Sequence, residues 1–230
     1  MDPTEVTIEL DDGAMPAHLW LPDRGSGPGI LLVQEIFGLS PYLRRRAADL
    51  AALGYVVMAP ELFWRLGTSA VPNGPTMLEQ GLALASRFDW PTGVSDASAA
   101  LDRLRELPEV TGGVGLVGFC FGGGLAFAVA ADEAPDALVA YYGSALPTLL
   151  DLAPRVLAPS LHHIGAADAY LDSAAVAAIR AAVAPQGARV EVHDGADHAF
   201  DNPDFANFHP GASATAWAQT RDFLREHLPV

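Results

Sequence analysis

Three residues of this 230-residue chain have the types and the order that acyl transfer requires: Cys120, Asp168 and His198. Cys120 is the single cysteine and stands in "GLVGFCFGGG", residues 115–124, where an apolar run gives way to glycines and then to a helical run. G-F-C-F-G has the form of the G-x-S-x-G nucleophile elbow with sulfur in place of oxygen. Gly118 and Gly122 leave room for strand and helix to approach, so the thiol is expected exposed at the tip of the turn. It also lies at a helix N-terminus, whose partial positive charge favours thiolate. A lone cysteine without such a setting is ordinarily a small core residue. Here the strand, the glycines and the helix favour a nucleophile.

A nucleophilic thiol needs a base, and the base needs an orienting group. His198, in "GADHAFDNP", follows the last strand in a Gly/Asp-rich loop, where the order nucleophile, acid, histidine puts the base. Asp168, in "HHIGAADAYL", follows the preceding strand; Asp172 is the weaker rival, because "LDSAAV" reads as a helix N-cap. The other histidines have structural readings. His18, His209 and His227 lack supporting context, and His193 ends a strand. His162 and His163 are neighbours on a strand, so their side chains point to opposite faces and make poor metal-ligand spacing.

The tetrahedral intermediate also needs hydrogen-bond donors. The Phe121 N–H, directly after the nucleophile, is one, and the N–H of Ile36 in "VQEIFG" is the expected second. The same loop carries Glu35. From chemistry alone it is either an exposed loop acid or a partly desolvated group able to exchange a proton with the thiol.

These loops need a frame. "EVTIEL" and "HLWL" read as an opening pair of strands; "GILLVQ", "YVVMA", "VGLVGF", "ALVAYY", "SLHHIG" and "RVEVH" read as fully buried strands. Residues 41–53, 76–88, 95–107, 121–131, 173–184 and 213–227 read as helices. Continuous apolar strands alternating with helices predict an α/β fold: a mostly parallel sheet of about eight strands with helices on both faces, in one domain over 1–230. Such sheets carry their chemistry beyond the carboxyl ends of the strands.

Composition narrows the chemistry. The formal net charge is −15, which disfavours nucleic acid and anionic membrane as partners. All 13 cationic residues are arginine, so chemistry that needs a lysine amine is excluded. No run of about eighteen apolar residues or leader-like N-terminus is visible, and the lone thiol suits a reducing compartment, so a cytoplasmic protein is expected.

In chain order, "QEIFG", "GLVGFCFGGGLAF", "YYG", "IGAAD" and "GADHAF" resemble the dienelactone hydrolase family. The resemblance implies an α/β-hydrolase fold and cofactor-free hydrolysis of a small lactone or activated ester by cysteine. It implies Cys120 as nucleophile, His198 as base, Asp168 as orienter, Ile36 and Phe121 as oxyanion donors, and Glu35 as a helper in generating thiolate. Family members acting on dienelactone carry two arginines near the site. Matching of flanking residues puts Leu78 and Asn202 at those positions. Phe37, Trp64 and Phe121 would then give the substrate apolar walls. The expected partner is a small-molecule ester or lactone, with the protein a monomer or small homo-oligomer. The rival readings are a redox-sensing thiol on an idle scaffold, which would lack a resolving cysteine, and a cysteine peptidase, for which no extended cleft is evident.

Overall fold

The computed structural model describes residues 2–230. Its elements are β1 (Thr4–Leu10), β2 (Gly13–Trp20), β3 (Gly27–Val33), α1 (Pro41–Ala52), β4 (Val56–Pro60), α2 (Met77–Arg87), α3 (Trp90–Arg105), β5 (Val110–Phe119), α4 (Phe121–Glu133), β6 (Ala137–Tyr141), β7 (Ser160–Gly165), α5 (Ser173–Val183), β8 (Arg189–His193) and α6 (Pro210–His227). The strands form an eight-stranded sheet in the order β1-β2-β4-β3-β5-β6-β7-β8. β1 and β2 pair antiparallel, as does β2 with β4, whereas β3 with β4, β6 with β7 and β7 with β8 run parallel. This is the α/β-hydrolase fold, with the mostly parallel sheet that the continuous apolar strands predict.

The contacts group into two compact units, one running to Gly115 together with Val230, the other Leu116–Pro229. In the first, β3 and β4 are buried along their whole length, which requires cover on both faces. α1 enters through Ser40, whose hydroxyl accepts from the Leu43 N–H, with Pro41 in the first turn, where its missing N–H costs nothing.

In the second unit, β6 and β7 are likewise buried throughout, and α4 is buried from Phe121 to Ala130. An all-apolar helix such as "FGGGLAFAVAA" must be enclosed on every side. A chain of buried polar groups joins β6, α6, β7 and β8. The Tyr141 hydroxyl meets Thr220 Oγ1 at 2.7 Å, Thr220 Oγ1 meets His163 Nε2 at 3.0 Å, and His163 Nδ1 meets His193 Nε2 at 3.1 Å. Burial pushes His163 well below the ordinary histidine range, helped by His193 and His162, and it pushes His162 down to about 4. These histidines are neutral structural groups at physiological pH.

Three expectations are corrected. β8 is not fully buried: Arg189 is exposed and Val190 to Val192 are half-buried, because β8 is an edge strand. α3 and α6 begin several residues earlier than their apolar periodicity suggests. Pro91 and Pro210 belong to their first turns, capped by the Asp89 carboxylate and the His209 ring, which accept from the N–H groups of Thr92 and Ala212. Tyr142, expected in β6, has a left-handed φ of 38° and turns the chain out of the strand. Among the described residues no helix is long and apolar enough to cross a membrane.

Candidate active site

The elbow is formed by backbone that only a tight strand-to-helix turn explains. Cys120 has φ 54° and ψ −119°, a region that costs a non-glycine residue about 1–3 kcal/mol and persists only where its surroundings enforce it. Three contacts do so. A Cβ on Gly118 would lie 2.2 Å from the Gly122 carbonyl oxygen, so only glycine lets β5 run this close to α4. The Cys120 N–H donates to the Tyr141 carbonyl at 2.9 Å, and the Gly123 N–H donates back to the Cys120 carbonyl at 3.0 Å. Phe121 is thereby set as the first residue of α4.

The loops after β7 and β8 are bound to one another before they meet the thiol. The Ala166 N–H donates to the His193 carbonyl and the Ala167 N–H to the Ala196 carbonyl, each at 2.9 Å. The Asp197 carboxylate accepts from the backbone N–H groups of His198 at 2.6 Å and Ala169 at 3.3 Å, joining the base's loop to the acid's. Gly165 permits this, since a Cβ there would sit 2.4 Å from the Ala196 carbonyl oxygen.

Cys120, His198 and Asp168 come together as the sequence order predicts. His198 Nε2 is 3.1 Å from Cys120 Sγ, and His198 Nδ1 is 2.9 Å from Asp168 Oδ2. The second Asp168 oxygen accepts from the Tyr170 N–H at 2.8 Å, so both carboxylate oxygens are engaged and the acid is fixed. The imidazole lies edge-on to two tyrosine rings, Tyr170 at 4.7 Å and Tyr142 at 5.2 Å. Burial by itself would lower the His198 pKa. Hydrogen bonds to Asp168 and Cys120, with the charges of both, outweigh it and push the imidazole up to about 10. An imidazole held this way can take up a proton from a neighbouring group and keep it beside the Asp168 carboxylate.

One sequence expectation fails here. The thiol was expected exposed on its turn, yet Cys120 is only 9% exposed, and His198 and Asp168 are as enclosed.

The remaining expected residues divide between the units. Glu35, in the first unit, is 1% exposed, so it is not the exposed loop acid of the first alternative. Ile36 and Phe37 are also buried, both packed on Gly81 of α2. Trp64 lies in a short 3-10 turn, where its indole N–H donates to Asp96 and the Arg65 guanidinium covers its ring at 4.3 Å. Leu78, on α2, is exposed. Asn202, in the second unit, is buried, and its side-chain oxygen accepts from the Asp204 N–H. Asp172 caps α5 through the Ala175 N–H, as its N-cap reading predicts. Among the described residues no cluster of three His, Cys, Asp or Glu could hold a metal ion.

Sequence reasoning missed Tyr142, Ser144, Tyr170 and Asp197. "YYG" stood out without a role for its residues, and Asp197 could have been suspected from its place beside the base. Nothing local to the sequence marks Ser144, whose hydroxyl lies 4.0 Å from Cys120 Sγ.

Comparison with known proteins identifies the family. Residues 15–228 match the dienelactone hydrolase family. A carboxymethylenebutenolidase from Pseudomonas sp. (strain P51) is 34% identical, covering 95% of this chain and 92% of its own. Carboxymethylenebutenolidase 1 from Cupriavidus pinatubonensis is 33% identical, covering 97% and 96%. Among solved structures, a dienelactone hydrolase-like promiscuous phosphotriesterase from metagenomic libraries superposes with a TM-score of 0.80 at 25% identity, covering 99% of this chain and all of that one. With residues 15–228 matched to the family and such relatives aligned over nearly its whole length, the chain belongs to the dienelactone hydrolase family.

Proposed function

We propose that the protein hydrolyses small neutral lactones and activated carboxylic esters through a thioester on Cys120. The observation that carries this reading is the chain of contacts Sγ to Nε2 at 3.1 Å and Nδ1 to carboxylate at 2.9 Å, on a strained elbow. The thiol proton passes to His198 Nε2, and the S–H electron pair stays on sulfur. The sulfur attacks the carbonyl carbon, and the C=O electron pair moves onto oxygen, which the Phe121 N–H at the start of α4 stabilises. As the C–O bond breaks, His198 returns the proton to the departing oxygen; in a lactone, that oxygen remains tethered to the acyl group. Water then gives a proton to His198, its oxygen bonds to the thioester carbon, and as the C–S bond breaks His198 returns that proton to sulfur, releasing the acid and restoring the thiol. Asp168 stays ionised and holds the imidazolium through Nδ1–H. The roles of Glu35 and of the Ile36 N–H rest on the family resemblance.

A p-nitrophenyl ester mixed with enzyme should release a burst of nitrophenolate close to one per active site, followed by a slower steady state. Mass spectrometry of the quenched enzyme should find the acyl group on the Cys120 peptide. Absence of both the burst and the adduct would sink the proposal.

Substrate charge follows from the two positions without arginine. Leu78 offers no charge, and Asn202 is a buried neutral amide whose oxygen is already engaged. An anion left unpaired in a partly dry site costs several kcal/mol, and a net charge of −15 adds repulsion. A lactone bearing a free carboxylate should therefore show a KM about tenfold or more above that of its methyl ester, with kcat changed less. Steady-state kinetics on matched pairs decides it, and a preference for the acid would show that an arginine elsewhere binds the carboxylate.

A further inference from the structure

The loop after β6 is built to bring a hydroxyl to the nucleophile. The Cys120 N–H is bonded to the Tyr141 carbonyl, and the next residue, Tyr142, takes its left-handed φ of 38° while its N–H donates to the His163 carbonyl at 2.7 Å. Gly143 then lies against the first turn of α4. A Cβ on Gly123 would come within 3.0 Å of the Gly143 Cα, so the two backbones touch and the loop is pinned to the elbow. A non-glycine residue is held in the left-handed region only where packing enforces it, and here the turn delivers Ser144 Oγ to 4.0 Å from Cys120 Sγ. On the sulfur's other contact stands His198 Nε2 at 3.1 Å.

We infer that Ser144 is a further catalytic residue of this site, its hydroxyl donating a hydrogen bond to the Cys120 sulfur once the thiol proton has passed to His198; the inference rests on Cys120 being the nucleophile. In the neutral thiol, Sγ–H is shared with Nε2 and the serine hydroxyl is one contact among several. After transfer the S–H bond is broken, the new N–H bond is on His198, and the electron pair stays on sulfur. A thiolate only accepts hydrogen bonds, and the rotatable Ser144 O–H is a donor already placed beside it. A hydrogen bond to an ionised acceptor is worth about twice a neutral one, so the hydroxyl stabilises thiolate over thiol. Its effect is strongest in the ion pair that forms before attack and fades as the S–C bond draws the charge away. Ser144 therefore raises the fraction of enzyme that is armed and slightly lowers the nucleophilicity of each thiolate.

The test uses the full chain and its single thiol. Second-order rates of iodoacetamide alkylation are measured from pH 4 to 10 for the unmodified protein, Ser144→Ala and Ser144→Thr. Ser144→Ala should move the pH midpoint of alkylation up by about half a unit to one unit, a loss of about 3- to 10-fold in rate below the midpoint. The limiting rate at high pH should be equal or higher. Ser144→Thr, which keeps the hydroxyl, should return the midpoint toward its original position. A Ser144→Ala profile that superimposes on the original, or that falls equally at every pH, would overturn the inference, since a merely structural serine gives one of these. Ester hydrolysis is followed in parallel with Cys120→Ala as control. A shifted midpoint in a protein whose hydrolysis survives loss of Cys120 would leave Ser144 on the sulfur and remove the acyl-enzyme reading. An unshifted midpoint with hydrolysis abolished in Cys120→Ala would do the reverse.

Discussion

Replacing Cys120 with alanine is expected to lower kcat/KM for a p-nitrophenyl ester by about four to six orders of magnitude, the range that removal of a nucleophile acting within a triad produces. The chain has no second cysteine to substitute for it. Only the Sγ atom is lost, and the turn keeps its glycines, its Tyr141 hydrogen bond and its α4 packing. Relief from the Sγ contacts costs little stability, so the thermal midpoint should stay within a few degrees and the circular dichroism spectrum should be unchanged. Stoichiometric inactivation of the unmodified protein by iodoacetamide, with label only on Cys120, is the matching chemical result. A Cys120→Ala protein that folds and retains more than about a hundredth of its turnover would place the chemistry elsewhere.

His198→Ala is expected to be nearly as damaging as Cys120→Ala, because without Nε2 at 3.1 Å the thiol has no proton acceptor and the departing oxygen has no donor. Combining the two substitutions should cost little more than either alone, since the residues act as a unit. Asp168→Asn should cost less than either. The amide still accepts from the Tyr170 N–H, yet it no longer holds a negative charge against Nδ1 and can fix the wrong tautomer. His198 should then titrate lower, because the hydrogen bond and the charge that Asp168 supplies both act to raise it. The acid limb of the pH profile for alkylation should move to higher pH in Asp168→Asn, as the ion pair loses its support. His163→Ala is the control among the histidines. That ring is buried between His193 and Thr220, so its loss should lower stability and leave kcat/KM of the folded protein within about tenfold. If His163→Ala instead abolished turnover while His198→Ala was mild, the base would be misassigned.

The sequence by itself determined the order and type of the elements and the identity of the central trio. Period and length separated strands from helices, since β3, β4 and β6 are apolar along their whole length and α4 has no polar face. Glycine placement located the turn at Cys120, because few residues allow a strand and helix to meet that closely, and chain order supplied Asp168 and His198. Such features are local, and local sterics and hydrophobic spacing can be read without knowing what lies opposite. The starts of α3 and α6 lie ahead of their apolar periodicity for a local reason too, because Pro91 and Pro210 with the caps Asp89 and His209 mark the first turns and apolar spacing does not. What only the tertiary structure decided depends on groups distant in sequence. It decided the burial of Cys120 and Glu35, the exposure of β8 at the sheet edge, and the joining of two loops by Asp197. It also brought Ser144 to the sulfur from 24 residues away, through a left-handed turn at Tyr142 that no propensity forecasts. A hydroxyl has little signature in sequence because serine suits turns of every kind. Its function exists only at a distance from another atom, and that distance is fixed by packing between β6 and α4.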